Sequence, residues 1–187
     1  TVPLCHIDEL QMIAEPAGSG WTVLTWAALR QQVGAVAQSL LDMRLPAGRP
    51  VVVLSDNSLD HLLLMLAALH VGRAVCTVSS GYSRLAQGEF SKIHGILQTL
   101  QPALVYCSDA AVYGAPLVGC GVEGLVAVFS QGADKHAGAL PFTQLLATAE
   151  TPAVRAAFDA VTPDTHAKYL LTSGSTGHPK VVINTHR

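Results

Sequence analysis

The 187-residue chain is poor in charge and in aromatic rings. Charged residues make up 13% of it and aromatic ones 5%, with 11 basic side chains against 13 acidic and a net charge of -2. That balance leaves no electrostatic footprint for a nucleic acid, because binding to a phosphate backbone rests on clustered Lys and Arg. Long apolar runs are also missing. The longest, residues 62–69 between His61 and His70, falls well short of the ~20 residues a membrane-spanning helix needs. No basic segment followed by an apolar stretch opens the chain, so no secretory signal is expected. The four cysteines, Cys5, Cys76, Cys107 and Cys120, include no pair closer than 13 positions, which removes CxxC zinc and redox motifs. Cys76 and Cys107 stand in strand-like runs and are expected to be buried reduced thiols, and a cytoplasmic location is the simplest expectation. The eight histidines make no H-E-x-x-H or H-x-H pattern, and no G-x-S-x-G elbow is present. Neither a metal site built from protein ligands nor serine-hydrolase chemistry is therefore expected.

Apolar residues make up 50% of the chain, which excludes a disordered chain and supplies a core. A complete domain of this length would bury roughly 70% of its unfolded surface. Residues 1–20 carry little pattern and end in Pro16-Ala17-Gly18-Ser19-Gly20, so they are expected to be loop-rich. Thr25 reads as an N-cap for a helix over residues 26–41, in which Trp26, Leu29, Val33, Val36 and Leu40 recur at helical spacing. Residues 51–54 form a short β-branched run of the kind covered on both faces of a sheet. Asp56, Asn57 and Ser58 offer caps for a helix to Val71, which Gly72 ends, and residues 74–78 read as a second buried strand. A strand–helix–strand unit of this kind implies parallel strands and a right-handed crossover. The alternation continues with a helix over 85–100, strands over 103–107 and 125–129, and a short helix over 142–149. A polar connection over 151–164 has room for one helical turn, and strands over 167–172 and 181–183 follow. Alternating strands and helices predict an α/β layered fold, mostly parallel, with helices on both faces.

Two glycine-rich segments compete for a phosphate-binding role. Gly119-Cys120-Gly121-Val122-Glu123-Gly124 matches G-x-G-x-x-G letter for letter. That fingerprint must follow a strand and open a helix, whereas a β-rich run follows here and no acidic residue stands about 20 positions on. It reads as a glycine-rich lead-in to a strand. Thr172-Ser173-Gly174-Ser175-Thr176-Gly177-His178-Pro179-Lys180 is different in kind. Gly174 and Gly177 let the backbone turn and approach a ligand closely. Successive N–H groups in such a turn make an anion-binding concavity, and the hydroxyls of Thr172, Ser173, Ser175 and Thr176 add donors. Lys180 adds a mobile positive charge suited to phosphate. The order is not that of a Walker A loop, since the lysine follows proline and the next residues are β-rich.

Residues 172–180 resemble the phosphate-binding signature of the adenylate-forming superfamily, which contains acyl-CoA synthetases, luciferases and nonribosomal adenylation domains. Leu24-Thr25-Trp26-Ala27-Ala28-Leu29 is similar to the family's early helix start, with Ala28 in place of the usual acid. Residues 66–83 are similar to its helix–strand–loop segment, without the prolines common there. Asp56-Asn57-Ser58 through His61, Tyr82-Ser83 and residues 182–187 look closest to bacterial feruloyl-CoA synthases. Val181 stands where the family usually has Gly or Ala, a β-branched residue that suits a strand.

The resemblance covers about residues 20–187 and implies the N-terminal portion of the family's large α/β domain, partial over residues 21–187. It implies ATP, Mg2+ and CoA as cofactor and co-substrates and a small carboxylic acid, of feruloyl-like aromatic type, as substrate. A carboxylate would attack the α-phosphorus of ATP to give an acyl-adenylate and pyrophosphate, and CoA thiolate would then displace AMP. The binding residues carried over are Thr172, Ser173, Gly174, Ser175, Thr176, Gly177 and Lys180. A hydroxyl of Thr172 or Thr176 would touch the metal, and no catalytic residue is carried over. In the family the adenine, acyl and CoA contacts and the adenylation lysine lie downstream of this loop, so the 187 residues alone are expected to be inactive. Unpaired sheet edges would favour self-association. The alternatives are an adenylation domain of nonribosomal peptide type and a non-catalytic nucleotide-binding module.

Overall fold

The computed structural model describes residues 11–17, 20–84, 89–172 and 180–187. Strands β1 (Gln11–Ala17) and β2 (Gly20–Thr25) pair antiparallel. Residues 11–17, expected to be loop, are thus a strand, and the hairpin bridges the boundary expected at residue 20. Hydrogen bonding across the ladder gives the segment an order that its weak side-chain pattern does not signal.

Helix α1 (Trp26–Asp42) follows at once, with Thr25 as its N-cap, where the hydroxyl accepts from Ala28 N–H at 3.2 Å. Leu29, Val33, Val36 and Leu40 line its buried stripe, at the expected helical spacing. Strand β3 (Val51–Val53) leads through the Ser58 cap to α2 (Leu59–His70), and Gly72 stops that helix in the left-handed region at φ +70°. Strand β4 (Val75–Thr77) then pairs parallel with β3, Val52 opposite Cys76.

Beyond β4 come the short helix α3 (Gly81–Arg84) and α4 (Ser91–Leu100). The helix expected from residue 85 thus begins, among the described residues, only at Ser91. The left-handed Gln101 at φ 45° closes it. Strand β5 (Leu104–Asp109), the one-turn α5 (Ala110–Tyr113), β6 (Val126–Gln131) and the two-residue β7 (Leu140–Pro141) follow. Helix α6 (Phe142–Leu146) is shorter than expected, and α7 (Pro152–Asp159) has two turns where the sequence suggested one. The Thr151 N-cap and Pro152 at the first helical position start α7, while Gln38 Oε1, on α1, accepts from both the N–H and the hydroxyl of Thr151. The tertiary bond thus reinforces a local start signal. Strands β8 (His166–Thr172) and β9 (Lys180–Thr185) complete the chain.

Among the described residues the main sheet has seven strands in the order β7-β6-β5-β3-β4-β8-β9. All of its pairs are parallel except β8–β9. This is the expected layered α/β fold. Alternate strand residues feed two cores. Val51, Val53, Leu104, Tyr106 and Val128 pack with α1, α2, α6 and α7 on one face. Val52, Leu54, Val105, Cys107 and Phe129 pack with α4, Tyr113 and Leu117 on the other. Cys76 and Cys107 are buried free thiols, as expected, and burial pushes the Cys76 thiol up to about 11. Cys5 lies outside the described residues. No described helix is long and apolar enough to cross a membrane.

Leu64 is fully buried in the first core. Leu64→Ala is expected to destabilise the chain by about 2–5 kcal/mol through lost apolar burial and the cavity left behind, read as a lower urea midpoint at unchanged slope.

Candidate functional site

The parallel strands β3, β4, β5, β6 and β8 end at one edge of the sheet, the edge at which open α/β sheets bind ligands. The hairpin of β8 and β9 brings the signature there. Thr172 is the last residue of β8 and is paired across the ladder with Lys180, the first of β9. The Thr172 hydroxyl donates to the Lys180 carbonyl at 3.5 Å, and both side chains are exposed. The pair closes the neck of the loop and presents a hydroxyl and an ammonium at its two feet. Ser173, Gly174, Ser175, Thr176 and Gly177, the remaining residues expected to bind phosphate, lie outside the described residues. Val181, the departure from the expected pattern, pairs with Leu171 and packs partly buried against the second core. Side chains alternate along a strand, so this bulk faces the side of the sheet opposite Lys180.

Residues 119–124 form the expected lead-in to a strand. Gly119, Gly121 and Gly124 all have positive φ, and the segment runs directly into β6. Its carbonyls at Cys120 and Glu123 accept from Gln98 and Arg49, so the chain turns against protein donors there. Among the described residues no cluster of His, Cys, Asp or Glu could hold a metal ion.

A feature the sequence did not announce lies at the same edge, between the ends of β3, β5 and β6. The connection after β3 leaves to the first core through α2, and the one after β5 leaves to the second through α5. The polar groups between them form a chain. Ser130 Oγ donates to Asp60 Oδ2 at 2.5 Å and lies 2.8 Å from the Tyr106 hydroxyl, which lies 3.3 Å from Ser58 Oγ. Because the Ser130 proton goes to the carboxylate, Tyr106 donates to Ser130 and Ser58 donates to Tyr106. Ser58 Oγ in turn accepts from His61 N–H as the cap of α2, while Glu15 accepts from Leu59 N–H at 3.1 Å. Burial holds the Asp60 carboxyl above its ordinary range. The Ser130 bond opposes that shift, and the charge of Glu15 adds to it. Burial likewise pushes the Tyr106 phenol up to about 12. The available signal was the acid in the first turn of α2, but its partner stands 70 residues on.

The sequence pattern of the AMP-binding enzymes matches residues 7–187. The chain is 30% identical over 182 residues to atromentin synthetase from Tapinella panuoides, spanning 96% of this chain and 17% of that protein. It is 29% identical over 179 residues to L-proline--[L-prolyl-carrier protein] ligase from Streptomyces coelicolor, spanning 94% of this chain and 32% of that one. The chain therefore spans less than a third of the length of these relatives. In fold it is similar to acetoacetyl-CoA synthetase from Streptomyces lividans, with a TM-score of 0.74 at 20% identity over 89% of this chain and 26% of that one.

A carboxyl whose folded value is raised stabilises the fold when protonated, so its contribution is present below the ordinary carboxylate range and is lost as pH rises. Asp60→Asn is thus expected to raise the melting temperature at neutral pH and to leave it nearly unchanged at about pH 4. Thermal unfolding of both proteins across that range tests it, and equal differences at the two ends would contradict the assignment.

Proposed function

The chain belongs to the AMP-binding enzyme family, and on that premise we propose that it is the N-terminal part of an ATP-dependent acid–CoA ligase. In this reading residues 21–187 form part of the nucleotide-binding domain, joined to the preceding strand through β1–β2. The substrate is an aromatic, feruloyl-like carboxylic acid. Its carboxylate oxygen attacks the α-phosphorus of ATP, the bond to the β-phosphate oxygen breaks, and pyrophosphate leaves. CoA thiolate then attacks the acyl carbon and AMP leaves. The observation that carries the reading is the pairing of Thr172 with Lys180 at the ligand-binding edge of the sheet, with the loop of Ser173, Gly174, Ser175, Thr176 and Gly177 between them.

Negative charge grows on the β- and γ-phosphates as pyrophosphate departs. Lys180 offsets that charge as it develops, and the loop donors hold the phosphates in line for attack. Magnesium suits such a site, since it is commonly held by substrate phosphates, water and one or two protein oxygens. The Thr172 hydroxyl is the described group that fits as a ligand, and the ion would supply further neutralisation of the triphosphate. The 187 residues span a small share of the relatives, and we place the acyl, adenine and CoA contacts outside them. The chain alone is accordingly expected not to turn over.

A second reading replaces CoA by a carrier-protein thiol, and the likeness to the prolyl-carrier-protein ligase favours it. Both share the adenylation step. For the full-length protein containing this chain, ATP–pyrophosphate exchange is expected with hydroxycinnamic acids, and Lys180→Ala should lower it by about 100-fold or more with little change in folding. Exchange with no carboxylic acid would refute the adenylation reading. Thioester formation on free CoA separates the first reading from the second.

We further propose that the isolated chain self-associates along β9. Among the described residues this strand is the last of its sheet, and Leu170, Val182 and Ile183 on the β8–β9 ribbon are exposed, a combination that invites edge pairing. Size-exclusion elution should move earlier with rising concentration, and Ile183→Lys should suppress the shift. A concentration-independent monomer would refute it.

A further inference from the structure

Among the described residues the hairpin of β1 and β2 is a two-stranded sheet of its own, outside the ladder of the main sheet. It leads through Thr25 into α1 and buries Leu24 in the first core. Its described polar hold on α2 is Glu15. This β1 side chain accepts at 3.1 Å from the N–H of Leu59, the first residue of α2. The free amides of a helix start suit a carboxylate, and here the carboxylate comes from a different element. The next residue of α2 is Asp60, so two carboxyl groups from two elements share one helix turn. Asp60 is half-buried and held in place, because Ser130 Oγ of β6 donates to its Oδ2 at 2.5 Å. Tyr106 of β5 donates to Ser130, and Ser58 donates to Tyr106, so neither of these protons reaches the carboxylate. His61 follows on α2. Its Nδ1 lies 3.4 Å from the Asp56 carbonyl, and burial favours its neutral form. Among the described residues no Lys or Arg pairs with Glu15 or Asp60.

We propose that the β1–β2 hairpin is a proton-sensitive strap, docked on the start of α2 through Glu15 while Asp60 is protonated and loosened by the charge that Asp60 gains on ionisation. Docking brings the Glu15 carboxylate to Asp60, and a like charge disfavours the ionised form. The docked strap therefore binds the Asp60 proton more tightly than the open one. By linkage, docking is strongest at acid pH and weakens as pH rises through the range in which Asp60 ionises. Burial holds the Asp60 carboxyl above its ordinary range, the Ser130 bond opposes that shift, and the Glu15 charge adds to it. The loosening thus extends above the pH at which ordinary carboxylates titrate, about 4. The strap is a device of the fold and does not rest on the adenylation reading.

Hydrogen exchange of the chain, corrected for the intrinsic pH dependence of exchange, reads the strap directly. Local opening exposes the amides of β1 and β2 without exposing those of β3. Relative to β3, protection in β1 and β2 is expected to fall about three- to tenfold between about pH 5 and pH 8. Asp60→Asn should keep the acid-pH protection at both ends. Glu15→Gln removes the repulsion but retains an amide oxygen for the Leu59 N–H, so it should flatten the profile as well. It also keeps the test valid should Asp60→Asn fail to fold. A flat profile in the unmodified chain, a profile that survives either variant unchanged, or a loss of protection that appears equally in β3 would overturn the proposal.

Discussion

The burial of β3 on both faces is the constraint on which the rest of the structure depends. Val51, Val52 and Val53 are fully buried, and successive side chains enter opposite cores. A strand so placed can have no charged residue, and its backbone groups must all be paired within the sheet. The parallel ladders to β4 and β5 satisfy them. With β4 on one side and β5 on the other, the connecting helices must cover both faces. The polar residues that follow each strand are thereby driven to one edge. That edge collects the end of β8, the Ser58–Tyr106–Ser130–Asp60 chain and the cap of α2.

With few charges to place, the fold uses them as clamps on the backbone. Arg49 closes the carbonyls after α4 and Arg73 those of the loop after α1. The ion pairs Arg30–Glu150, Arg155–Asp159 and Arg187–Asp164 all lie at the surface, where such pairs contribute little to stability. Stability therefore comes chiefly from the two apolar cores, the first of which holds an edge-on ring contact between Tyr106 and Phe142 at 5.5 Å.

The elements with strong local signals matched their sequence signatures. Thr25 and Ser58 cap the helices they were expected to cap, and Gly72 ends α2. The departures arise where tertiary contacts outweigh local pattern. Strand β1 is held by its partner β2. Helix α7 gains from Gln38, 113 positions away. Of the candidate site, Thr172 and Lys180 were legible as residue types, but their direct pairing was not. Asp60 was legible only as a helix-start acid.

By itself the sequence determined the alternation of strands and helices, the strand lead-in character of residues 119–124 and the resemblance of residues 172–180 to a phosphate-binding signature. Hydrophobic period, caps and turn residues act over a few positions, so they can be read locally. Tertiary structure alone decided that β8 lies beside β4, that Lys180 stands opposite Thr172, and that Ser130 reaches Asp60. Those relations depend on strand order and register. The joint packing of distant segments sets both, and no short stretch of residues encodes either.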